Sequence, residues 1–443
     1  MSESRLRFDA GTWRIVGPLR PAGTLAPPGD KSIAHRVLLM AALSNGECRL
    51  GGVPNSADVA CTAAALRRMG VRIQADGAEW RVTGVGFAGL HPPAGDLDCG
   101  NSGTTMRLLC GALAAQAFPT RLSGDESLRR RPMRRVAEPL RRMGARIACL
   151  GAQERPPVQI EPAAAPLRGA EHTLEVDSAQ VRSAILLAAL RASGRTRIRP
   201  AGVARDHTER LLHALGARVI RTPESITLHP LRGQTSWNGF DVQVPGDLSS
   251  AAFFVAWCAA SAHGSLRCVR VGLNPGRACY LEILRRAGAR IEITSERQEL
   301  GEPSGAVRVA GPLRAPLQLA GADVVQCIDE VPALLAAAAV AGVPAQVHDA
   351  GELRVKESDR IAALAQLLRA FGACVHESRD GLQLEACAAL HPAQVDSYGD
   401  HRIAMAAAVL AACAPGESRI DNVDCVRTSY PRFPDDLERL ARV

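Results

Sequence analysis

The feature that most constrains the fold is a short segment that recurs along the chain. The segment Leu66–Ile73 (LRRMGVRI) returns almost unchanged at residues 140–147 (LRRMGARI). Shorter matches occur around three further glycines and, in part, near the last residues: Gly216, Gly288, Gly372 and Leu440–Val443. The five glycines follow one another at intervals of 74, 72, 72 and 84 residues. A spacing this regular predicts a chain assembled from copies of one supersecondary unit.

Each copy predicts two helices separated by strands. The recurring segment is typical of an amphipathic helix that ends at a glycine cap and is followed directly by a strand. A second, alanine-rich helix keeps the same interval and begins near six residues: Ser32, Thr104, Ser178, Ser249, Asp329 and Asp400. This apolar helix must be buried, whereas the amphipathic helix has one polar face. The unit is therefore helix, strand, helix and two strands, about 72 residues long.

The six units divide most simply into two domains of three. The segment 244–247 (VPGD) repeats an earlier PGD segment and opens the fourth unit, so we place the domain boundary there. We predict a first lobe over residues 28–245 and a second lobe made of residues 1–27 together with residues 246–443. A strand around Trp13–Val16 is predicted to cross over to the second lobe. The fold class is α/β, because alternating helices and strands with only 3% aromatic residues do not suit a β-sandwich.

The amino-acid composition limits the cellular location and the class of ligand that can be expected. The first ten residues are polar, and the longest apolar runs are too short to span a bilayer. We therefore expect a cytoplasmic protein. Thirteen scattered cysteines without a Cys-x-x-Cys pair indicate reduced thiols, with neither a disulfide framework nor a zinc site. The net charge of +8 allows an anionic partner, either a small phosphorylated substrate or a nucleic acid.

A polar segment precedes each of the six apolar helices. These segments are residues 31–32 (KS), 101–104 (NSGT), 178–180 (SAQ), 246–250 (GDLSS), 329–330 (DE) and 399–402 (GDHR). If the units are related by pseudo-threefold symmetry, the three helix N-termini of each lobe point the same way. Two lobes that face each other would then direct six helix dipoles, each worth roughly half a positive charge, at one cleft. Such a cleft favours a polyanion over a neutral ligand.

Two lysines stand out against a strong arginine bias. Of the 53 basic residues, only Lys31 and Lys356 are lysines. Lysine is a compact point charge that arginine does not replace at a tight site, so we predict a function for both. Lys31 lies in a loop that opens a helix, which is either an anion site or an ordinary capped helix start. Residues 356–360 (KESDR) predict a second helix start, with Lys356 and Arg360 on one helical face.

Several other motifs favour structure over function. Residues 84–89 (GVGFAG) match the dinucleotide-binding pattern, but prolines follow where a helix is required, so we discard it. Asp329 and Glu330 could serve merely as an acidic helix cap. His401 is interpreted as a hydrogen-bonded structural residue. The arginines beside each glycine cap suit a helix C-terminus better than a nucleic-acid surface, because few aromatic residues are available for base stacking.

Taken together, the polar segments resemble the signatures of the 5-enolpyruvylshikimate-3-phosphate (EPSP) synthase family. The matching segments run in order along the chain: residues 28–36 (PGDKSIAHR), 100–107 (GNSGTTMR), 124–128 (GDESL), 131–133 (RPM), 178–180 (SAQ), 354–360 (RVKESDR) and 399–405 (GDHRIAM). The resemblance implies a two-domain inside-out α/β barrel, in which each domain has three βαβαββ units with pseudo-threefold symmetry. It also implies transfer of the enolpyruvyl group of phosphoenolpyruvate to the 5-hydroxyl of 3-phosphoshikimate in the shikimate pathway.

The resemblance assigns roles to residues at the matching positions. It implies that 3-phosphoshikimate is bound by Lys31, Ser32, Arg36, Ser178, Ala179, Gln180, Asp329 and Lys356. It implies that phosphoenolpyruvate is bound by Lys31, Gly103, Arg131, Gln180, Arg360 and Arg402. Asp329 would accept the proton of the attacking hydroxyl, and Glu357, with Lys31 or Lys356 nearby, would protonate the methylene carbon. Arg205 is a weaker candidate for the phosphate of 3-phosphoshikimate.

The resemblance also carries expectations about ligands and inhibition. We expect a monomer with two small-molecule substrates, no cofactor, no metal, and neither nucleic acid nor membrane as partner. Gly103 makes the chain a candidate target of glyphosate, the inhibitor of the family. Some members have a lysine near the C-terminus that contacts phosphoenolpyruvate. This chain has Arg427 to Arg432 in that region and no lysine, so that contact is in doubt.

Two other functions remain open at this point. Enolpyruvyl transfer to UDP-N-acetylglucosamine shares the fold but typically uses a cysteine in the loop around residues 120–135, where this chain has none. A non-catalytic polyanion or nucleic-acid binder would instead lose affinity steeply with salt.

Overall fold

The computed structural model describes residues 5–231 and 236–442, and the chain folds as two compact units. The first-half unit comprises Gly29–Val244 and Gln298–Glu302. The second-half unit comprises Met1–Pro28, Pro245–Arg297 and Pro303–Val443.

The short segment Gln298–Glu302 departs from the division drawn from the sequence, which placed it in the second lobe. Glu302 and His207 are both buried, with Oε1 and Nδ1 2.8 Å apart. Arg210 donates to the carbonyl of Gly301 at 3.1 Å. A buried carboxylate is stable only where it has such partners, so these contacts hold the segment in the first-half unit.

The described residues of the first-half unit form three four-stranded sheets of one topology. In strand order they are Asp241–Gln243, Asn45–Gly51, Glu79–Val85 and Arg72–Asp76; Leu97–Asp98, Thr120–Ser123, Arg155–Glu161 and Arg146–Gly151; and Glu171–Thr173, Thr196–Arg199, Ile226–Leu228 and Val219–Arg221. In each sheet the first strand is parallel to the second, and the remaining pairs are antiparallel.

The second-half unit repeats this arrangement, with a fifth strand, Ala441–Arg442, added antiparallel at the edge of one sheet. Its sheets, again in strand order, are Leu317–Leu319, Ala345–Val347, Leu382–Leu384 and Val375–Glu377; Gln394–Asp396, Gly416–Asp421, Thr12–Gly17 and Leu6–Asp9; and Ala441–Arg442, Arg20–Leu25, Ser265–Gly272, Glu302–Ala310 and Arg290–Glu299. The N-terminal strand Thr12–Gly17 pairs along its whole length with Gly416–Asp421. Strands from the two ends of the chain therefore complete one sheet.

Six apolar helices form the interior of the two units. They span Lys31–Ala42, Gly103–Leu113, Ala179–Ala189, Leu248–Ala260, Val331–Ala341 and His401–Cys413. Each begins within two residues of the start that the sequence predicts. Every residue of Leu248–Ala260 is buried, and each unit has its own hydrophobic core. The predicted α/β class is confirmed. Among the described residues, no helix is both long and apolar enough to cross a membrane.

The second set of helices carries the repeated glycine. These helices span Ala57–Arg68, Arg134–Arg142, His207–Ala214, Pro275–Arg286, Arg360–Ala370 and Phe433–Leu440, and shorter helical turns cover Glu126–Arg129, Ala322–Cys327, Gly351–Val355 and Val423–Thr428. After the first five, the glycine has positive φ, as at Gly70 (92°) and Gly144 (97°). The amide of Gly70 bonds to the carbonyl of Arg67, and the next amide bonds to that of Leu66. This pair of bonds is the Schellman motif.

The arginines beside these glycines stabilise the helix ends. Arg67 donates to the carbonyl of Ile73 at 3.0 Å, and Arg141 donates to that of Ile147 at 2.7 Å. Arg285 and Arg369 donate in the same way to the carbonyl six residues ahead. Each guanidinium group thus joins a helix to the strand that follows it. The recurring arginines are explained by the fold.

We expect Gly144→Ala to destabilise the protein by about 1 to 2 kcal/mol, the cost of a left-handed conformation for an L-residue. A Cβ at this position would meet no other atom within 4 Å, so the loss reports the backbone alone. Urea unfolding would measure it. The control is Gly95→Ala, whose Cβ would lie 3.5 Å from Arg68 at an ordinary φ. An equal loss in both variants would contradict the assignment of Gly144 as a required cap.

Candidate functional site

In the first-half unit the site begins at the N-terminus of the helix Lys31–Ala42. The carboxylate of Asp30 caps this helix by accepting from the amides of Ser32 and Ile33 at 2.7 and 3.1 Å. Lys31 Nζ lies 3.0 Å from Asp58 Oδ2, and about a fifth of each side chain is exposed. The lysine is therefore held at the helix tip with its charge accessible to a ligand.

Arg36 lies one turn further along the same helix and is buried. Its guanidinium group donates to Thr208 Oγ1 at 2.7 Å, to Ser183 Oγ at 2.8 Å and to the carbonyl of Ser32 at 2.8 Å. These contacts tie the first apolar helix to the third repeat. Arg36 thus stabilises the packing of the helices whose N-termini form the site.

His35, next to Arg36, is uncharged at neutral pH. Burial lowers its pKa to about 3, and its Nδ1 lies 2.7 Å from Thr62 Oγ1. Thr62 in turn lies 2.7 Å from Thr105 Oγ1 at the start of the second apolar helix. This histidine joins two helix tips and adds no positive charge.

A pair of arginines surrounds Gly103, the first residue of the second apolar helix. A Cβ on Gly103 would lie 2.9 Å from Nη1 of Arg107 and 3.2 Å from Nη1 of Arg131. Arg131 donates to Asn101 Oδ1 at 2.6 Å, and Asn101 donates to Asp125 at 2.8 Å. The absence of a side chain at Gly103 leaves both guanidinium groups next to the helix N-terminus, where a planar anion can accept from either of them.

Gln180 connects this arginine pair to the third apolar helix. Its Oε1 accepts from Arg107, and its Nε2 donates to Thr104 Oγ1 at 2.9 Å. Ser178 is the N-cap residue of that helix, but its hydroxyl makes no capping bond. Ser178 and Ala179 are both half-buried. The structure thus brings the second and third helix tips into one polar cluster.

Arg205 lies in a loop of the third repeat that a buried ion pair shapes. Arg182 is fully buried and donates to Asp177 at 2.7 Å and to the carbonyl of Arg205 at 3.0 Å. Asp177 accepts in turn from the amides of Val203 and Ala204 at 2.6 and 2.7 Å. The loop conformation therefore depends on a charge pair that the sequence motifs do not include.

In the second-half unit three cations converge on Asp329. Lys356 Nζ and Arg360 Nη1 each lie 3.5 Å from its Oδ1. Arg402 Nη2 lies 4.0 Å from its Oδ2, and Arg402 also donates to the carbonyl of Asp329. About a fifth of the Asp329 side chain is exposed. The three cationic groups are thus gathered at one partly exposed carboxylate, where an anionic ligand can compete with it for them.

Arg360 is the buried centre of this cluster. Its Nε and Nη2 bond to the two oxygens of Asp400 at 2.8 and 3.3 Å, and Nη2 also bonds to Glu357 Oε2 at 2.5 Å. Burial by itself would lower the pKa of Arg360, but the charges of Asp400 and Glu357 outweigh it and raise the pKa. Burial would likewise raise the pKa of Asp400, but the charge of Arg360 holds it below its ordinary value.

The expectation that Lys356 and Arg360 share a helical face was wrong. The carboxylate of Asp359 caps the helix by accepting from Ala362 N at 3.1 Å, so the helix begins only at Arg360. Lys356 lies in extended backbone before it. The two side chains nevertheless meet at the same oxygen of Asp329, through tertiary packing.

Glu330 is the N-cap residue of the helix Val331–Ala341 but makes no side-chain capping bond. It is fully buried and accepts from Ser249, which also accepts from Arg277. Asp329 points instead to Lys356, Arg360 and Arg402. The two adjacent acids therefore have different environments, and only Asp329 belongs to the cluster around Arg360.

Sequence reasoning missed two residues of the site. Arg107 was passed over because one more arginine in an arginine-rich chain carries no signal of its own. Its position four residues after Gly103 on one helical face was the available clue. Asp58 gave no signal, because its contact with Lys31 spans 27 residues.

The fold and these two clusters together define a class of protein. It is an α/β protein of two threefold-repeated units in which lysine, arginine and carboxylate side chains gather at the N-termini of buried helices. Such clusters bind small polyanions and place an acid or a base beside them.

Comparison with known proteins identifies the family. The family model of EPSP synthase (3-phosphoshikimate 1-carboxyvinyltransferase) matches residues 16–437. The 3-phosphoshikimate 1-carboxyvinyltransferase of Acidithiobacillus ferrooxidans (strain ATCC 53993 / BNL-5-31) is 47% identical over 420 residues, which cover 94% of each chain. That of Geobacter sp. (strain M21) is 43% identical over 417 residues, or 94% of this chain and 96% of the relative.

A solved structure of EPSP synthase from Acinetobacter baumannii is similar with a TM-score of 0.84 and 38% identity, over 96% of this chain and 97% of that chain. The chain belongs to the EPSP synthase family, and it is an enzyme. The family decides among the functions left open by the sequence, against transfer to UDP-N-acetylglucosamine and against a non-catalytic binder.

We expect Asp400→Asn to cost about 3 kcal/mol, because it leaves the buried Arg360 without its main counter-charge. The pKa of Asp400 is lowered in the folded protein, so its stabilisation is fully present above its ordinary pKa of about 4 and is lost as the pH falls through the lower folded pKa. The variant should therefore lose less stability than the wild type over that acid range. Urea midpoints measured at a series of pH values test both effects.

The control for this prediction is Asp9→Asn, at an exposed position of the same unit. It should leave both the midpoint at neutral pH and the acid dependence unchanged. An Asp400→Asn protein as stable as the wild type, with the same acid dependence, would contradict the proposed pairing.

Proposed function

We propose that the two clusters bind the substrates of the family reaction in this chain. The enzyme transfers the enolpyruvyl group of phosphoenolpyruvate to the 5-hydroxyl of 3-phosphoshikimate and releases phosphate, a step of the shikimate pathway. The observation that carries the residue assignment is the convergence of Lys356, Arg360 and Arg402 on Asp329 at 3.5 to 4.0 Å.

Phosphoenolpyruvate carries a carboxylate and a phosphate, which suit paired guanidinium groups. We assign its binding to Lys31, Gly103, Arg131, Gln180, Arg360 and Arg402. Arg107 joins this set because it lies beside Gly103 and holds Gln180.

We assign 3-phosphoshikimate to Lys31, Ser32, Arg36, Ser178, Ala179, Gln180, Asp329 and Lys356, with Arg205 as a further candidate. Ser178 supports the assignment because its hydroxyl does not cap its own helix. Arg36 is the member most occupied by protein contacts, since three of its donors already bond to Thr208, Ser183 and Ser32.

The proposed chemistry is addition followed by elimination. Asp329 accepts the proton of the 5-hydroxyl while the hydroxyl oxygen bonds to the central carbon of phosphoenolpyruvate. Glu357 gives a proton to the methylene carbon. The tetrahedral intermediate then expels phosphate from its central carbon while its methyl group returns a proton to the carboxylate of Glu357, which restores the double bond. The departing phosphate takes up the proton held by Asp329. An anion that draws Lys356, Arg360 and Arg402 toward itself leaves Asp329 less compensated and a better proton acceptor.

We expect Lys31→Ala and Asp329→Ala each to lower phosphate release by roughly 100-fold or more, the usual contribution of a charged group in such a site. Lys31→Arg should also be impaired, because guanidinium does not reproduce the compact ammonium charge. A coupled phosphate-release assay, with and without 3-phosphoshikimate, measures the effect.

The matched control is Arg130→Ala, which removes an exposed cation that pairs only with Glu126 among the described ion pairs. Its turnover should equal that of the wild type. Wild-type turnover in Lys31→Ala or Asp329→Ala, with the fold intact by circular dichroism, would refute the assignment.

We expect Gly103→Ala to raise the KM for phosphoenolpyruvate and to weaken inhibition by glyphosate by about ten-fold, or roughly 1.4 kcal/mol. The added methyl group would press on Arg107 at 2.9 Å and on Arg131 at 3.2 Å. Inhibition curves measured at several phosphoenolpyruvate concentrations test this, and the KM for 3-phosphoshikimate should change little. Gly95→Ala serves as the control. Unchanged glyphosate inhibition in Gly103→Ala would place the inhibitor elsewhere.

The remaining proposals concern partners. We propose that the chain acts as a monomer on its two small-molecule substrates, without nucleic acid or membrane. Sedimentation at catalytic concentration tests the first statement, and independence of turnover from added nucleic acid or lipid vesicles tests the second.

A further inference from the structure

Three metal-ligating side chains project from one hairpin of the second-half unit, outside the cluster around Asp329. Cys374 directly precedes the strand Val375–Glu377, and His376 lies on it. Glu385 follows the antiparallel strand Leu382–Leu384. All three are exposed. The ligand atoms of the three residues all lie within 4.8 Å of one another.

The hairpin fixes the three side chains on the same face of the sheet. Cys374 and His376 are two residues apart, so their side chains point to the same side, while Val375 between them is buried. Glu385 donates its amide to the carbonyl of Cys374 at 3.0 Å, which places the two residues opposite each other on paired strands. The side chains are thus held together by backbone register rather than by chance rotamers.

The separation of Cys374 and His376 is close to that in a tetrahedral zinc site, and that of His376 and Glu385 is shorter. Bond lengths of about 2.3 Å to sulfur and about 2.0 to 2.1 Å to nitrogen and oxygen require roughly 3.6 Å between sulfur and nitrogen and roughly 3.4 Å between nitrogen and oxygen. Here Cys374 Sγ lies 3.7 Å from His376 Nε2, and His376 Nε2 lies 2.8 Å from Glu385 Oε1. A small rotation of the exposed Glu385 side chain opens the second distance.

We propose that Cys374, His376 and Glu385 form a surface binding site for Zn²⁺, with water in the fourth position. A thiolate, an imidazole and a carboxylate together suit a borderline-soft ion and do not suit Mg²⁺ or Ca²⁺, which prefer oxygen ligands alone. The expectation of no zinc site rested on the absence of a Cys-x-x-Cys pair, and this site contains only one cysteine. Here the third ligand is brought in by the turn of a hairpin.

The site would stabilise the hairpin that supports the catalytic segment. Glu377, next to His376, accepts from Arg354 at 2.9 Å, and the same guanidinium group bonds to Asp359 at 2.8 Å. Arg354 precedes Lys356 by two residues. An ion held by the hairpin is therefore linked through Glu377 and Arg354 to the segment that carries Lys356 and Glu357. The ion takes no part in the reaction.

The experiment is a titration of the full chain, freed of metal by a chelator, with Zn²⁺ and separately with Co²⁺. We expect one high-affinity Zn²⁺ per chain by calorimetry and, with Co²⁺, the near-ultraviolet absorption that thiolate ligation produces. Cys374→Ser, His376→Gln and Glu385→Gln should each weaken Zn²⁺ binding by roughly ten-fold or more. Cys374→Ser should also abolish the Co²⁺ absorption band.

Matched controls are Cys387→Ser and His348→Gln, which remove another thiol and another imidazole from the same unit. Both should bind Zn²⁺ and Co²⁺ as the wild type does. The proposal is overturned if no Zn²⁺ binds, if the control variants lose binding equally, or if Cys374→Ser retains the affinity and the Co²⁺ band. Because the three ligands are exposed, all variants should keep the wild-type circular dichroism spectrum, which separates loss of binding from loss of fold.

Discussion

An α-helix that is buried on every side can meet polar ligands only at its ends. Six helices in the described part of this chain are in that position, and Leu248–Ala260 has no exposed residue at all. The unpaired amides at their N-termini must be satisfied by caps such as Asp30, Asp247 and Asp400 or by a ligand. Burial of the apolar helices thus determines where the chemistry of the protein can occur. The charged residues of both clusters lie at or beside these tips.

The arginine content of the chain has mainly a structural origin. Arg67 and Arg141 close helix ends on the following strand, Arg182 shapes a loop from within the core, and Arg36 ties two repeats together. A guanidinium group suits these tasks, because it has several donors in a fixed plane and stays charged when buried. The two lysines have a different environment, each partly exposed and beside one aspartate at 3.0 or 3.5 Å. The contrast explains how so basic a chain can confine its ligand-binding charge to a few positions.

Much of the fold could be predicted from the sequence because it repeats. The helix that begins at Lys31 and the glycine cap at Gly144 each depend on local signals, and each signal occurs again in other repeats. The contacts of the site are a different case. The approach of Asp58 to Lys31 joins two helices of one repeat, and that of Arg107 to Gln180 joins separate repeats. No local pattern encodes either contact. Lys356 shows the same limit, since its predicted helix was wrong while its predicted neighbour Arg360 does meet it at Asp329, through packing.

The sheet that unites both ends of the chain has a consequence for synthesis on the ribosome. The strand Thr12–Gly17 can find its partner Gly416–Asp421 only after almost the entire polypeptide has been made. At about 5 to 20 residues per second, that delay is roughly 20 to 80 s. The main segment of the first-half unit, Gly29–Val244, is contiguous and emerges much earlier. The strand Thr12–Gly17 can pair with its neighbour Leu6–Asp9 at once, but its other edge must stay without a partner during that interval, while a neighbouring part of the same nascent chain already folds.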